Sequence, residues 1–193
     1  YPNTNAFVNT DIYGAALSLL HDQKGIAAIL GTGMNACLFD GKNIVKTIPS
    51  LGYIIGDEGS GSYFGKKLLN KIFTKDIDKT LIEKFHHRYQ LSREDIIKNT
   101  YGKERANKFL ASFCPFIHDN KLHSDLQTML MEGFNGFYRK YISHISQNDS
   151  IYFTGSIAHY FKEELIESAE CYGYKVMEVM KSPMDGLIKY HSI

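Results

Sequence analysis

Gly25-Ile26-Ala27-Ala28-Ile29-Leu30-Gly31-Thr32-Gly33 is the stretch that decides the fold class. A short apolar run rich in β-branched and small residues reads as a buried strand. Glycines at its exit let backbone N–H groups come close to an anion, so Gly31, Thr32 and Gly33 form a candidate phosphate-handling turn. A glycine turn after a strand is common, and the acids on either side give this one weight. Asp11 lies upstream, and the glycine-rich loop Gly56-Asp57-Glu58-Gly59-Ser60-Gly61 lies downstream.

The composition bounds the function. With 193 residues, 44% hydrophobic and 22% charged, the chain can bury an ordinary globular core. A net charge of +1 supplies no one-sided positive field, so nucleic acid is not an expected partner. Apolar stretches fall short of the roughly 20 residues that span a bilayer, and no charged-then-apolar leader opens the chain. The expectation is a cytoplasmic protein with no membrane partner. Cys37, Cys114 and Cys171 are widely spaced, which suits reduced, mostly buried thiols rather than a disulfide framework. The histidines lack ligand spacing, so no metal site is expected within these residues. The chain opens on Tyr1-Pro2-Asn3-Thr4-Asn5 without Met and reads as a piece of a longer protein.

Periodicity and turn chemistry outline an α/β chain. A short strand is expected over 6–8, a helix over 12–21 behind Asn9-Thr10-Asp11, and a strand over 26–30. Asp40-Gly41-Lys42 between two apolar runs, 36–39 and 43–48, signals a β-hairpin. Residues 49–61 read as a loop and 63–73 as a helix. No strand is expected between 76 and 148. That block reads as helices over 76–87, from the capping start Ser92-Arg93-Glu94-Asp95, over 103–113 and over 122–145. Gly133 and Gly136 in the last of these imply close packing or a break. A strand over 150–154, a turn at Gly155-Ser156, a helix over 157–171, a strand over 175–179 and a helix opened by Pro183 complete the chain. The organisation expected is one structural domain: 1–75 its first part, 76–148 a helical insertion, and 149–193 the return to the α/β layer.

Several residues can carry chemistry. Asp11 at a strand-to-helix junction can face a cleft at the carboxyl end of a sheet, or simply stabilise its own helix. Asp57 sits in a loop too rich in glycine to be chosen for stability, where a carboxylate acceptor can recognise hydroxyl groups. Glu58 reads as facing away or capping the following helix. Gly155 and Ser156 can present a helix N-terminus to an anion, and Ser156 can equally be a plain cap. His159 reads as a surface or packing residue, and Phe134, Phe137, Tyr138 and Tyr141 as core.

In order along the chain, Val8-Asn9-Thr10-Asp11, Gly31-Thr32-Gly33-Met34-Asn35, Gly52-Tyr53-Ile54-Ile55-Gly56-Asp57-Glu58-Gly59-Ser60 and Thr154-Gly155-Ser156-Ile157-Ala158 resemble the N-acetylglucosamine kinase and BadF/BadG-type ATPase family. The resemblance implies a ribonuclease H-like, actin-like ATPase domain with an inserted helical block, one half of a two-domain kinase. The Asp-Gly-Gly-Gly-Thr first phosphate loop of that family is not in this sequence, so the chain matches a C-terminal portion expected to be inactive alone. The resemblance further implies ATP and magnesium as cofactors, magnesium being held mainly by the other domain, and a small sugar as substrate; a homodimer is compatible with it. Asp11 matches the catalytic acid. Gly31, Thr32 and Gly33 match the second phosphate loop, and Gly155 and Ser156 the adenosine motif. Ser50, Leu51, Gly52 and Asp57, together with Asp11, match the sugar side. Met34 stands where the family usually has Ser, and Ser50-Leu51-Gly52 replaces a glycine and aromatic segment, which leaves the identity of the sugar open. Two other functions fit the same motifs: an ATPase activator of the BadF type, and a non-catalytic sugar- or nucleotide-binding regulator.

Overall fold

In the computed structural model, residues 8–102 and 104–192 are described. The chain begins with helix α1 (Asp11–Leu20), then β1 (Gly25–Leu30), β2 (Met34–Phe39) and β3 (Ile44–Thr47). Helices follow: α2 (Gly52–Ile55), α3 (Gly61–Thr74), α4 (Lys79–Tyr89), α5 (Arg93–Tyr101), α6 (Ala106–Ala111), α7 (Cys114–Asp119) and α8 (Ser124–Phe137). Helix α8 continues through a π-helical turn, Tyr138–Ile142, into α9 (Ser143–Ile145). Strand β4 (Ile151–Thr154), helices α10 (Ser156–Tyr160) and α11 (Lys162–Cys171), strand β5 (Val176–Met180) and helix α12 (Met184–His191) complete the order.

The five strands make one sheet in the order β3-β2-β1-β4-β5. The β1–β2 and β2–β3 pairs are antiparallel, as hairpin connections require, whereas β1–β4 and β4–β5 are parallel. Alternation along β1 sends Ile26, Ala28 and Leu30 to one face and Ala27 to the other. The first face joins Phe153 of β4 to Phe64, Phe134 and Phe137 of the helices in one continuous core. The second packs on Ile12, Ala16 and Leu19 of α1. Phe134, Phe137, Tyr138 and Tyr141 are buried, as their helical spacing predicts. Ser92 and Asp95 form a reciprocal capping box at the start of α5.

Several elements differ from their sequence reading, each for a physical reason. Of the short strand expected over 6–8, Ala6 and Phe7 lie outside the described residues, and Val8 is in no strand. The expected loop 49–61 contains α2, whose last turn is held from outside by Lys66 Nζ donating to the Tyr53 and Ile54 carbonyls at 2.9 and 3.3 Å. The helix expected over 103–113 ends at Ala111, and Pro115, which has no amide to extend a preceding helix, lies in the first turn of the separate α7. The helix expected over 157–171 breaks at Phe161, whose ring is buried. Pro183 is the N-cap of α12 rather than part of its first turn. Thr10 caps α1 by backbone alone, with no side-chain hydrogen bond. Of the three thiols, Cys37 and Cys114 are buried and Cys171 is exposed.

Gly133 and Gly136 mark close packing, not a break. A Cβ at Gly133 would collide with the Phe64 ring, and one at Gly136 would meet Glu58 Cγ at 3.4 Å. The tightest helix approach is at Gly65 of α3, where a Cβ would run into the Leu110 carbonyl, a backbone group that cannot swing aside. Gly65→Ala is therefore expected to cost at least about 2–3 kcal/mol in urea unfolding. Gly14 in α1 has nothing within 4 Å of its Cβ position, and Gly14→Ala is expected to add up to about 1 kcal/mol through helix propensity.

Candidate functional site

The site is built where β1 and β4 end. Their parallel register, from Ile26↔Ile151 to Ile29↔Thr154, brings the Gly31 and Gly155 turns to the same end of the sheet. Open α/β sheets bind ligands at the carboxyl ends of their strands. Gly155 has a φ of +117°, and a Cβ there would collide with the Leu30 carbonyl, so glycine is what lets the two exits touch. Helix α1, joined to β1 by residues 21–24, packs on the sheet face that carries Ala27, Cys37 and Phe39.

The Gly31-Thr32-Gly33 turn is the hairpin loop between β1 and β2. Its carbonyls are committed: Gly61 N donates to Gly31 O at 2.8 Å and Ser62 N to Thr32 O at 3.0 Å. These are first-turn amides of α3, which have no partner within their own helix. The amides of Thr32 and Gly33 have no protein partner among the described residues. Nothing lies within 4 Å of a Cβ placed on Gly31. The turn thus offers N–H donors and open space, which is what close approach by an anion needs.

A cleft of about 650 Å³ opens there, lined by Gly31, Thr32, Ser156 and Ile157 on the sheet side and by α6, α7, Tyr160 and Phe161 on the other. That volume lies in the range of small-molecule sites, roughly 300–1,000 Å³. Ser156 is exposed and caps nothing, since Gly155 is the N-cap of α10 and no side-chain bond closes that end. The buried Thr154 hydroxyl, one residue before the turn, has no hydrogen-bond partner among the described residues. His159 is exposed. The far wall was not found from the sequence. Lys108, Ser112, Pro115, His118 and Asp119 recur at helical spacing, but the stripe mixes charged, polar and imino residues, so no hydrophobic period reveals it.

The acceptor-side residues form a second group. Asp57 is 6% exposed, and its carboxylate accepts from Ser50 Oγ. Ser50 Oγ also accepts from Gly52 N at 3.0 Å. Asp57 Oδ2 lies 3.1 Å from the Cβ position of Gly33, so this carboxylate abuts the phosphate-type turn. Asp57 holds φ at +61°, a left-handed conformation that costs an L-residue about 1 kcal/mol or more. Leu51 is exposed. Asp11 is exposed, and its Oδ1 accepts from the Ile12 amide at 2.7 Å. The structure joins Gly31, Thr32 and Ser156 in one cleft and Ser50, Asp57 and Gly33 in one contact group. Among the described residues, Asp11 has no hydrogen bond to either group; its Oδ1 is bonded to the Ile12 amide.

Glu58 neither faces away nor caps α3, whose N-cap is Ser60, accepting from Tyr63 N at 3.3 Å. It is 7% exposed and is gripped by Lys140 Nζ and by the Tyr141 hydroxyl, the latter at 2.6 Å. Burial pushes its carboxyl up, but the hydrogen bonds from Lys140 and Tyr141 overcome this and hold it below its ordinary value. Burial and the adjoining carboxylate push the Tyr141 hydroxyl well above the usual tyrosine range.

Among solved structures, the chain superposes with a TM-score of 0.91 and 37% identity on a candidate N-acetylglucosamine kinase from Porphyromonas gingivalis, covering 94% of this chain and 64% of that one. A candidate N-acetylglucosamine kinase from Chromobacterium violaceum shares the fold at a TM-score of 0.59 and 16% identity, again over 94% of this chain and 64% of the other. Over nearly its whole length the chain is similar in fold to both candidates and, at 37% identity, in sequence to that from P. gingivalis. The chain thus spans a little under two thirds of the length of these kinase-family structures. No protein-family model and no curated protein matches the sequence. Among the described residues, no helix is long and apolar enough to cross a membrane.

A carboxyl whose folded-state pKa is depressed stabilises the fold above its unfolded value, and that contribution is lost as pH falls through the lower folded value. Glu58 should therefore contribute fully above about pH 4.5, its ordinary value, and progressively less below it. Chemical denaturation across pH 3–6 is expected to show a shallower acid-side loss of stability in Glu58→Gln than in wild type. Parallel curves would remove the Lys140 and Tyr141 contacts as the cause.

Proposed function

We propose that this chain forms the sugar- and nucleotide-facing part of an ATP-dependent sugar kinase, transferring the γ-phosphoryl group to a hydroxyl of an N-acetylglucosamine-type sugar or another hexose or amino sugar. One observation carries the reading: an anion-ready glycine turn lines a ligand-sized cleft and is contacted at Gly33 by a buried carboxylate suited to accept from a hydroxyl. The likeness to the candidate N-acetylglucosamine kinase from P. gingivalis supports the same reading. The sheet, three antiparallel strands continued by parallel ones, fits one half of a ribonuclease H-like, actin-like ATPase, with the helices between β3 and β4 as its inserted block.

Phosphoryl transfer calls for positioning and charge neutralisation more than for covalent help. The free Thr32 and Gly33 amides and the Thr32 hydroxyl would hold phosphate oxygens as a preorganised donor set. Gly155 keeps the β4 exit close enough for Ser156 to border the same space. Asp57 would accept from a sugar hydroxyl, with Ser50 fixing its rotamer. A carboxylate is a weak base toward an alcohol, so Asp11 would orient the attacking hydroxyl and collect its proton late. The nucleotide supplies the phosphoryl group. Among the described residues no group of three or more His, Cys, Asp or Glu side chains could hold a metal ion. The resemblance puts the first phosphate loop outside these residues, and this segment alone is expected to turn over little ATP.

The test is ATP consumption by the full-length gene product across a panel of amino sugars and hexoses. Turnover that depends on an acetamido sugar supports the proposal. ATP hydrolysis indifferent to every sugar would favour an ATPase activator, and binding without turnover a regulator. In the active protein, Asp11→Ala is expected to lower kcat at least about a hundredfold, the usual scale of acid–base participation. Thr32→Val is expected instead to raise the KM for ATP, and an unchanged nucleotide requirement would remove Thr32 from phosphate binding.

A further inference from the structure

Three observations around Asp57 remain unused by the kinase reading. First, its backbone is held left-handed at φ +61°, although a glycine would adopt that conformation freely and stands on either side of the Asp57-Glu58 pair. Such outliers persist only where the surroundings over-determine them. Second, the next residue, Glu58, is buried and bound through both carboxylate oxygens, Oε1 by Lys140 and Oε2 by Tyr141. Third, both partners come from the π-helical turn Tyr138–Ile142. Lys140 and Tyr141 are consecutive, and consecutive residues of a regular α-helix do not share a face. Single π turns inside α-helices are rare and concentrate at functional sites.

The same side chains reach the loop backbone. A Cβ on Gly56 would lie 2.9 Å from the Tyr141 hydroxyl oxygen. Gly59, with φ +79°, packs against the Phe137 side chain, 3.2 Å from its Cβ position. Gly136, one residue earlier, lies under the Glu58 stem. The loop is therefore gripped at Gly56, Glu58 and Gly59 by the end of α8 and its π turn, while Ser50 and the Gly33 turn meet the Asp57 carboxylate itself.

We propose that Glu58, Lys140 and Tyr141 are positioning residues, a clamp by which the π turn holds the 56–59 loop in the strained conformation that aims the Asp57 carboxylate at the acceptor side of the Gly33 turn. This rests on the kinase reading only for what Asp57 then binds. The clamp acts through Asp57, which does not line the cleft at Gly31 and Thr32, so it governs affinity for the sugar and leaves that cleft unaffected.

The experiment uses the full-length gene product and four variants: Tyr141→Phe, Glu58→Gln, Lys140→Met and Lys140→Arg. In steady-state kinetics, Tyr141→Phe and Glu58→Gln are expected to raise the sugar KM at least tenfold with the KM for ATP changed less than twofold. Lys140→Arg, which keeps the charge, is expected to recover most of what Lys140→Met loses. Crystal structures of wild type and Tyr141→Phe give a readout independent of turnover: Asp57 is expected to leave the left-handed region and withdraw from Gly33 in the variant alone. An Asp57 that keeps its wild-type conformation in Tyr141→Phe overturns the clamp, as does a lowered melting temperature with an unchanged sugar KM. A wild-type protein that phosphorylates no sugar overturns the kinase reading instead, and the crystallographic comparison then decides the clamp by itself. Should Tyr141→Phe fail to fold, the Glu58→Gln structure serves the same comparison.

Discussion

Parallel pairing of β1 with β4 is the constraint on which the site depends. The two strands are separated by the long helical segment and meet over Ile26↔Ile151 through Ile29↔Thr154. Both are buried on the helical face, so a slip of one residue would turn Ile26, Ala28 and Leu30 away from the core that Phe153 shares with Phe64 and Phe137. With register secured this way, two glycine turns leave the sheet side by side. Gly155 can lie against the Leu30 carbonyl because it has no Cβ, and its positive φ starts α10 at the edge of the cleft.

The helices between β3 and β4 serve as more than a connection. They share one core with the sheet, and the packing is close enough that Gly65 and Gly133 have no room for a methyl group. At the N-terminus of α3, Gly61 sits among Ala111, the Gly31 carbonyl and Ile157, with Cys114 Sγ donating to its carbonyl at 3.4 Å. The turn, the first amides of α3 and the wall formed by α6 and α7 are thereby one rigid piece. A phosphate site made from backbone donors needs this support, since such donors act only when they are held in place before the ligand arrives.

Strain and burial meet at the residues that abut Gly33. Asp57 and Glu58 are adjacent, both buried and both carboxylates, yet their environments separate them. Glu58 is fully engaged by Lys140 and Tyr141, whereas Asp57 has Ser50 and a glycine turn as neighbours. A carboxylate whose protein contacts are few retains acceptor capacity for a ligand hydroxyl, and one that is saturated serves the framework.

Much of this was legible from the chain alone, because the signals are local. The apolar run 25–30 with its terminal glycines, the Asp40-Gly41 hairpin, the Ser92–Asp95 capping box and the strand-turn-helix at Gly155 each depend on neighbouring residues whose chemistry restricts φ, ψ or backbone hydrogen bonding. The break at Phe161, the short α2 and the partners of Glu58 depend instead on groups distant in sequence. Glu58 and Tyr141 are 83 residues apart, and a contact across that separation leaves no period for a pattern to reveal. Residue type by itself determined the turns, the strand faces and the acids available for chemistry. Only the tertiary structure decided which acid stays open and which is locked, because packing sets how many donors reach each carboxylate.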